Sequence, residues 1–521
     1  MSDLSIYQQA ILNWLVNNAG TGRHLIGSGV AGCGKTYTAM KLFEVGISLQ
    51  QSGCYVAFNK DIREAVIPKL PKGTSSETYH SHGFRAIRNS FGGARMDENK
   101  LLNFLKQYPQ LVYLKYKIKK LVSLCKINGI LSPDDETLYR LSIEFDIDFD
   151  DTDGKPNERQ MRTAFDFTRK AINYSLDNCT VVDFDDMLFI PYAMPNEISM
   201  PQYDLLIIDE LQDTSPVQMA LALRSVNPGG NIIGIGDRKQ AIYAFRGAGA
   251  TSVDDFKTGT NADELPLSIC YRCPTEVRDL VNRRFPEIKF ETPEWAKQGQ
   301  VLRMKQNKAI EAMIPGDLIL CRVNKYLVEG AFEAIRAGKR AQVKGRAIGK
   351  GITALIKKSN AGTTKEFLDW LDAWRDREIE KAERIESEDK RQAVIDQFET
   401  ILVIADGTLA VDELAARCDA LFDDDPRNCI VFSSVHKAKG LEANNVYISH
   451  PELMPHPAAW KPIDIKQERN IEYVAVTRAM ENLIFIDEGK EEKKLPEQTK
   501  ALPEPFINTE AVEISPLPFR F

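Results

Sequence analysis

The eight residues Gly29-Val30-Ala31-Gly32-Cys33-Gly34-Lys35-Thr36 constrain this chain more than any other stretch of it. A glycine-rich run closing on Lys-Thr fits the P-loop pattern, which works only between a strand and a helix. Both neighbours have the required character. An apolar run, His24 to Ser28, precedes it, and Ala39, Met40, Leu42, Phe43 and Val45 follow at helical spacing. The glycines let backbone N–H groups wrap phosphate oxygens, and the helix N-terminus adds positive potential. Lys35 would then reach the outer phosphates, and the Thr36 hydroxyl would hold Mg²⁺.

A second element matches the first. Leu205-Leu206-Ile207-Ile208 reads as a buried strand and ends in Asp209-Glu210, at the strand end where parallel sheets place their ligands. There Asp209 would hold Mg²⁺ through water, and Glu210 would polarise the attacking water. An apolar run closing on two acids is common as a strand followed by a helix cap; the P-loop gives this one its meaning.

At 521 residues the chain exceeds one compact core and calls for two to four domains. With 43% hydrophobic and 27% charged residues it is neither disordered, collagenous nor a disulfide scaffold. No run reaches the ~18 apolar residues of a membrane span, and the N-terminal MSDLSIYQQA carries no secretory pattern. Nine scattered cysteines fit free thiols in a reducing compartment, so a cytoplasmic protein is expected. The net charge of −7 does not decide on a nucleic-acid partner, because binding depends on where positive charge sits. The densest basic cluster, Lys115 to Lys120, reads equally well as a solvated helix face.

Strand-like runs at Cys54 to Phe58, Asp204 to Ile208, Ile232 to Gly236, Asp317 to Cys321 and Ile430 to Ser433 alternate with helix-period segments. Two stretches, Phe91 to Asp183 and Gly349 to Asp425, are helical in composition. The plan is two α/β blocks, each interrupted by a helical insertion.

Further motifs follow in order. Asp209-Glu210-Leu211-Gln212-Asp213 is followed by Gly236-Asp237-Arg238-Lys239-Gln240-Ala241-Ile242-Tyr243-Ala244-Phe245-Arg246-Gly247-Ala248 and Leu267-Ser268-Ile269-Cys270-Tyr271-Arg272. Then come His436-Lys437-Ala438-Lys439-Gly440-Leu441-Glu442 and Glu468-Arg469-Asn470-Ile471-Glu472-Tyr473-Val474-Ala475-Val476-Thr477-Arg478-Ala479. This ordered set resembles the helicase motifs of superfamily 1, in the branch of UvrD, Rep and PcrA. The likeness runs from Gln8 to Ala479.

The resemblance implies two RecA-like P-loop domains with parallel sheets. The first would comprise 1–90 and 184–262, with a helical insertion at 91–183. The second would comprise 263–348 and 426–490, with a reduced insertion at 349–425, and 491–521 would be a flexible tail. It also implies an ATP-dependent DNA helicase or translocase moving 3′→5′, with ATP and Mg²⁺ as ligands and single-stranded or tailed duplex DNA, replication or repair proteins and no membrane as its context. Arg272 and Arg478 match the arginine fingers, Gln240 the γ-phosphate sensor and Gln8 the adenine-reading glutamine. Tyr271 matches the ring that stacks on adenine, and Glu442 the ribose contact. Phe58, Asn59, His80, Tyr243, Phe245, Arg246 and His436 lie in motifs that touch DNA. A lone arginine is ordinarily a surface ion pair and a lone aromatic ordinarily core; the surrounding motifs outweigh both explanations for the arginines, Phe58 and Phe245, while Tyr243 also fits a structural role.

Two departures stand out. The second insertion is short for the branch, which keeps open a motor that mainly strips proteins from DNA. A scaffold that only switches with ATP is the reading from another class, and Glu210, Arg272 and Arg478 speak against it. In motif IV, Cys270-Tyr271-Arg272-Cys273 forms a CxxC, but no second pair stands at zinc spacing, so a metal is not expected there. With residues 480–521 after the last motif, a fused nuclease domain is not expected.

Overall fold

The computed structural model describes residues 4–145, 147, 149, 157–242, 252–344, 346–384, 388–422, 428–457, 459 and 462–487. In chain order the strands are β1 (Leu25–Gly29), β2 (Gly53–Ala57), β3 (Thr74–Thr78), β4 (Arg95–Met96), β5 (Val181–Val182), β6 (Tyr203–Asp209) and β7 (Val226–Gly236). They continue with β8 (Asp263–Leu267), β9 (Gln300–Lys305), β10 (Leu318–Cys321), β11 (Ala341–Val343), β12 (Ile430–Ser434), β13 (Ala443–Ile448) and β14 (Ala479–Asp487). Two six-stranded sheets result, with orders β3-β2-β6-β7-β1-β8 and β11-β12-β10-β13-β14-β9. Every strand pair in both is parallel.

Inner strands of such a sheet are covered on both faces and read as unbroken apolar runs. Leu205, Leu206, Ile207 and Ile208 of β6 are wholly buried, as are Ile232 and Ile233 of β7. The order sets β7 between β6 and β1, so the C-terminal ends of β6, β7, β1 and β8 lie side by side. The segments leaving those four ends carry Asp209-Glu210, Asp237, the P-loop and Tyr271-Arg272.

The division expected at 262/263 falls one strand too early. Asp263–Leu267 pairs with β1, Leu25 opposite Asp263 and Gly29 opposite Leu267, as the sixth strand of the first sheet. Two acids and a proline make it read as the start of a new block, yet an edge strand tolerates both.

The helices Lys100–Leu105, Lys115–Ile127, Asp135–Glu144 and Glu158–Asp177 bury Leu101, Ile118, Leu121, Leu138 and Phe165 in a core of their own. The Lys115–Lys120 cluster opens the second of these, with Ile118 buried and Lys119 and Lys120 exposed. Buried charges tie the unit to the first lobe. Lys126 Nζ lies 3.0 Å from Asp183 and 2.7 Å from Asp186, and Lys100 Nζ lies 2.7 Å from Asp186. The helices of the second insertion behave differently. Phe367, Leu371, Ile401 and Leu414 share one core with Ile319, Phe432 and Ile484 of the second sheet. A further core crosses between the lobes, joining Val30, Ala31 and Cys33 to Tyr473, Val435 and Val446. No described helix is long and apolar enough to cross a membrane. The expected tail, 491–521, lies outside the described residues.

Candidate nucleotide site and nucleic-acid interface

The P-loop leaves β1 and turns into the helix Lys35–Ser48. Gly32 and Gly34 take left-handed backbone, at φ 67° and 77°. Space is short there as well: a Cβ on Gly32 would meet Arg272 Cβ at 2.8 Å, and one on Gly34 would meet Gln8 Nε2 at 3.3 Å. Glycine is therefore required twice over. Val30, Ala31 and Cys33 face the core, and burial pushes the Cys33 thiol up to about 12.

Lys35 Nζ pairs with Glu210 Oε1 at 2.7 Å. Burial is the largest single influence on each and works against both charges, but the surrounding opposite charges and hydrogen bonds together outweigh it. Lys35 is raised above its ordinary value, while Lys35 and Lys439 hold Glu210 down at about 2. Glu210 itself sits at φ 52°, ψ 47°, a conformation that costs a non-glycine residue roughly 1–3 kcal/mol and gathers at functional sites. Asp209 is pushed up by burial and by Glu210, and accepts from the Tyr55 hydroxyl at 2.6 Å. Tyr55 also interacts with Thr36, and so lies beside both Thr36 and Asp209.

Gln240 follows β7. Its Nε2 donates to Asp237 Oδ2 at 2.9 Å, and Asp237 N–H donates to Gln212 Oε1 at 2.9 Å, while Gln212 Nε2 donates to Glu210. One chain of hydrogen bonds thus links Gln240 to the Asp209-Glu210 pair. From the second lobe, the Tyr473 hydroxyl accepts from Ala31 N–H at 2.9 Å and donates to Asp237 Oδ2 at 3.1 Å. Lys439 Nζ pairs with Asp213 and donates to the Gln240 carbonyl at 2.8 Å. Tyr473 and Lys439 lie inside motifs quoted from the sequence, but their part in this seam was not read there; it depends on contacts between residues about 200 to 440 positions apart.

Both arginines reach the same place. Arg272 donates from Nε to Glu442 Oε2 at 2.6 Å and from a terminal nitrogen to the Thr477 carbonyl at 3.3 Å. Arg478 is 1% exposed and donates to the Val474 carbonyl at 2.9 Å. Burial, and then the Arg272 charge, bring its guanidinium down to about 10, still cationic at neutral pH. Gly32, Lys35, Glu210, Gln240, Arg272 and Arg478 all border one cleft of about 680 Å³ between the lobes, a size suited to a small-molecule ligand.

Tyr271 lies along the P-loop, its N–H donating to the Gly32 carbonyl at 2.9 Å and its hydroxyl to Gln8 Oε1 at 3.3 Å. Gln8 Nε2 donates to Thr38 Oγ1 at 3.3 Å, so the amide is held against the P-loop helix. Glu442, paired with Arg272, borders the cleft as well.

Cys270 and Cys273 are both buried, with Cys273 N–H donating to Cys270 Sγ at 3.2 Å. Burial opposes a thiolate at Cys270, but hydrogen bonds from Cys273 and Arg272 bring it down to about 7. All nine cysteines are free thiols, and among the described residues no group of three or more His, Cys, Asp or Glu could hold a metal ion.

The residues expected to contact DNA separate. Phe58 and Asn59 border the nucleotide cleft, and Asn59 also caps the helix Lys60–Val66 by accepting from Ile62 N–H at 2.9 Å. His80 stacks on Phe184, centroids 3.8 Å apart, and burial lowers it to about 4, so it is neutral at neutral pH. Phe184, 53% exposed among acidic neighbours, escaped notice in the sequence. His436 is half-buried in the turn after β12. Tyr243, Phe245 and Arg246 lie outside the described residues.

Comparison with known proteins bears on the same elements. The UvrD/REP helicase N-terminal domain matches residues 14–260, and the UvrD-like helicase C-terminal domain matches residues 324–488. The RecB subunit of the RecBCD enzyme of Mycolicibacterium smegmatis is 38% identical over 96 residues, 16% of this chain and 9% of that protein. A probable DNA helicase II homologue of Mycoplasma capricolum is 32% identical over 116 residues, 21% of this chain and 16% of its own. The ATP-dependent DNA helicase Rep of Buchnera aphidicola is 26% identical over 190 residues, 33% and 26% respectively. The aligned part of the chain thus spans 26% or less of the length of these relatives. With the N- and C-terminal domain matches in order along one polypeptide, each over one of the two parallel sheets, the chain belongs to the UvrD/Rep-type helicases of superfamily 1.

Proposed function

We propose that this chain is an ATP-driven motor that moves 3′→5′ along single-stranded DNA and unwinds duplex DNA. The observation that carries the reading is the convergence of Lys35, Glu210, Arg272 and Arg478, from two RecA-like lobes, on one cleft. ATP phosphates would lie against the N–H groups of the P-loop, with Lys35 drawn from Glu210 toward the outer phosphates. Glu210, held ionised, is then free to orient the attacking water. Arg272 and Arg478 supply fixed positive charge where charge spreads in the transition state. Arg478 comes from the second lobe, whereas Arg272 leaves β8 of the first sheet beside Gly32, so the positive charge around the phosphates is complete only when the cleft is closed.

Thr36 and Asp209 offer a hydroxyl and a carboxylate, oxygen donors of the kind Mg²⁺ takes together with phosphate oxygens and waters. Tyr55, which lies beside both, supports the fit. When bound, the ion would offset charge on the β- and γ-phosphates.

Closure would be passed on through the Gln240–Asp237–Tyr473 and Lys439–Gln240 hydrogen bonds. If each lobe grips the strand in turn, a closure becomes a step. Phe58, Tyr243 and Phe245 are the proposed ring contacts to bases, with Asn59, His80, Arg246 and His436 as further DNA contacts; stacking of this kind does not read sequence. Strand displacement on duplexes with 3′ or 5′ single-stranded tails tests the proposal. ATP-dependent displacement from 3′ tails is expected. Displacement from 5′ tails alone overturns the polarity, and hydrolysis that single-stranded DNA does not stimulate overturns the motor.

A further inference from the structure

Trp295 is 71% exposed, an unusual position for the largest apolar side chain. It stands on the segment 293–299 between the helix Thr275–Arg284 and β9. That segment is pinned. Thr275 N–H donates to the Lys297 carbonyl at 2.9 Å, Glu276 N–H to the Gln298 carbonyl at 3.1 Å and Ala296 N–H to the Pro293 carbonyl at 2.9 Å. First-turn N–H groups need acceptors outside their helix, and here they anchor the loop that presents the ring.

The ring faces Tyr271. Their centroids are 6.3 Å apart and their planes 26° from parallel. Tyr271 is itself fixed by its bonds to Gly32 and Gln8, and both rings border the cleft that holds Lys35. We propose that Trp295 is a further nucleotide-binding residue, forming with Tyr271 an aromatic platform for the base of the bound triphosphate. This rests on the nucleotide-site reading above.

The platform contributes affinity rather than base identity, because every base has a π-face. Gln8, the polar group nearby, already accepts through Oε1 from Ser5 N–H at 3.0 Å and from Tyr271, and donates to Thr38.

The test compares ATP with inorganic tripolyphosphate, which has no base, by calorimetric titration of the wild-type chain, Trp295→Ala and Trp295→Phe. For ATP the Ala variant should raise Kd by about fivefold to 150-fold, the equivalent of ~1–3 kcal/mol of stacking. Tripolyphosphate affinity should not change, and Trp295→Phe should recover most of the ATP affinity. An unchanged ATP Kd in Trp295→Ala overturns the proposal. Equal weakening of both ligands also overturns it, since Trp295 would then be supporting the P-loop. If the wild-type chain binds neither ligand, the nucleotide-site reading itself fails.

Discussion

Tyr473→Phe removes one oxygen atom from the seam between the lobes, and its cost can be worked out. The ring stays where it is, edge-on to Phe285 and Phe290 at 5.5 and 6.3 Å, so almost no cavity forms. What is lost is an acceptor for Ala31 N–H and a donor to Asp237, all three residues being 3% exposed or less. A buried N–H left without a partner costs ~1–3 kcal/mol, and a hydrogen bond to a charged group contributes ~1.5–3 kcal/mol. Asp237 keeps donors from Gln240 Nε2 and Lys239 N–H, both at 2.9 Å, which softens the second loss. A total of about 2–4 kcal/mol is expected. For a cooperative unit of 150–250 residues that lowers Tm by roughly 5–15 °C. The freed Ala31 N–H belongs to the P-loop, so ATP affinity should weaken as well. Thermal melting and ATP titration read both effects. Tyr473→Ala, which adds a cavity typically costing ~3–5 kcal/mol, must melt lower still. A Tm within 1 °C of wild type for Tyr473→Phe, with unchanged ATP affinity, would show that the hydroxyl does not tie the P-loop to the second lobe.

Lys35→Ala and Glu210→Gln should each abolish ATP turnover with circular dichroism unchanged; near-normal turnover in Glu210→Gln would remove Glu210 from the chemistry. Arg272→Ala should slow hydrolysis by ~10³–10⁵ while leaving ATP binding nearly intact, as for an interaction made mainly in the transition state. Steady-state kinetics with binding titrations check it, and lost binding with kcat retained would contradict it. Arg478→Ala should lower kcat likewise and also lower Tm, because this guanidinium is buried and satisfies the Val474 carbonyl. Lys126→Ala strips Asp183 and Asp186 of a buried counter-charge and should cost ~3–5 kcal/mol in a urea melt. A loss under ~1 kcal/mol would mean that Lys100 alone suffices.

Much of the candidate site was legible because its parts are local. The spacing of Gly32 and Gly34 is read directly from the sequence, and both adopt left-handed backbone in tight surroundings. The apolar run before Asp209 had to be a buried strand, since four consecutive apolar residues satisfy both faces of a parallel sheet. The two helical stretches were equally plain from composition, although nothing in the sequence shows that the first builds its own core while the second shares that of its sheet.

Tertiary structure decided what touches what. Pairing of β8 with β1 is a parallel contact between residues more than 230 positions apart, and no local period signals it. Ala31 and Tyr473 meet across 442 positions, and Trp295 acquires meaning only beside Tyr271. Local sequence selects backbone shape through sterics and hydrogen bonds a few residues long. Which strand ends share an edge, and which side chains from the second lobe close over them, depends on how buried apolar faces from distant segments pack, and that is a property of the whole chain.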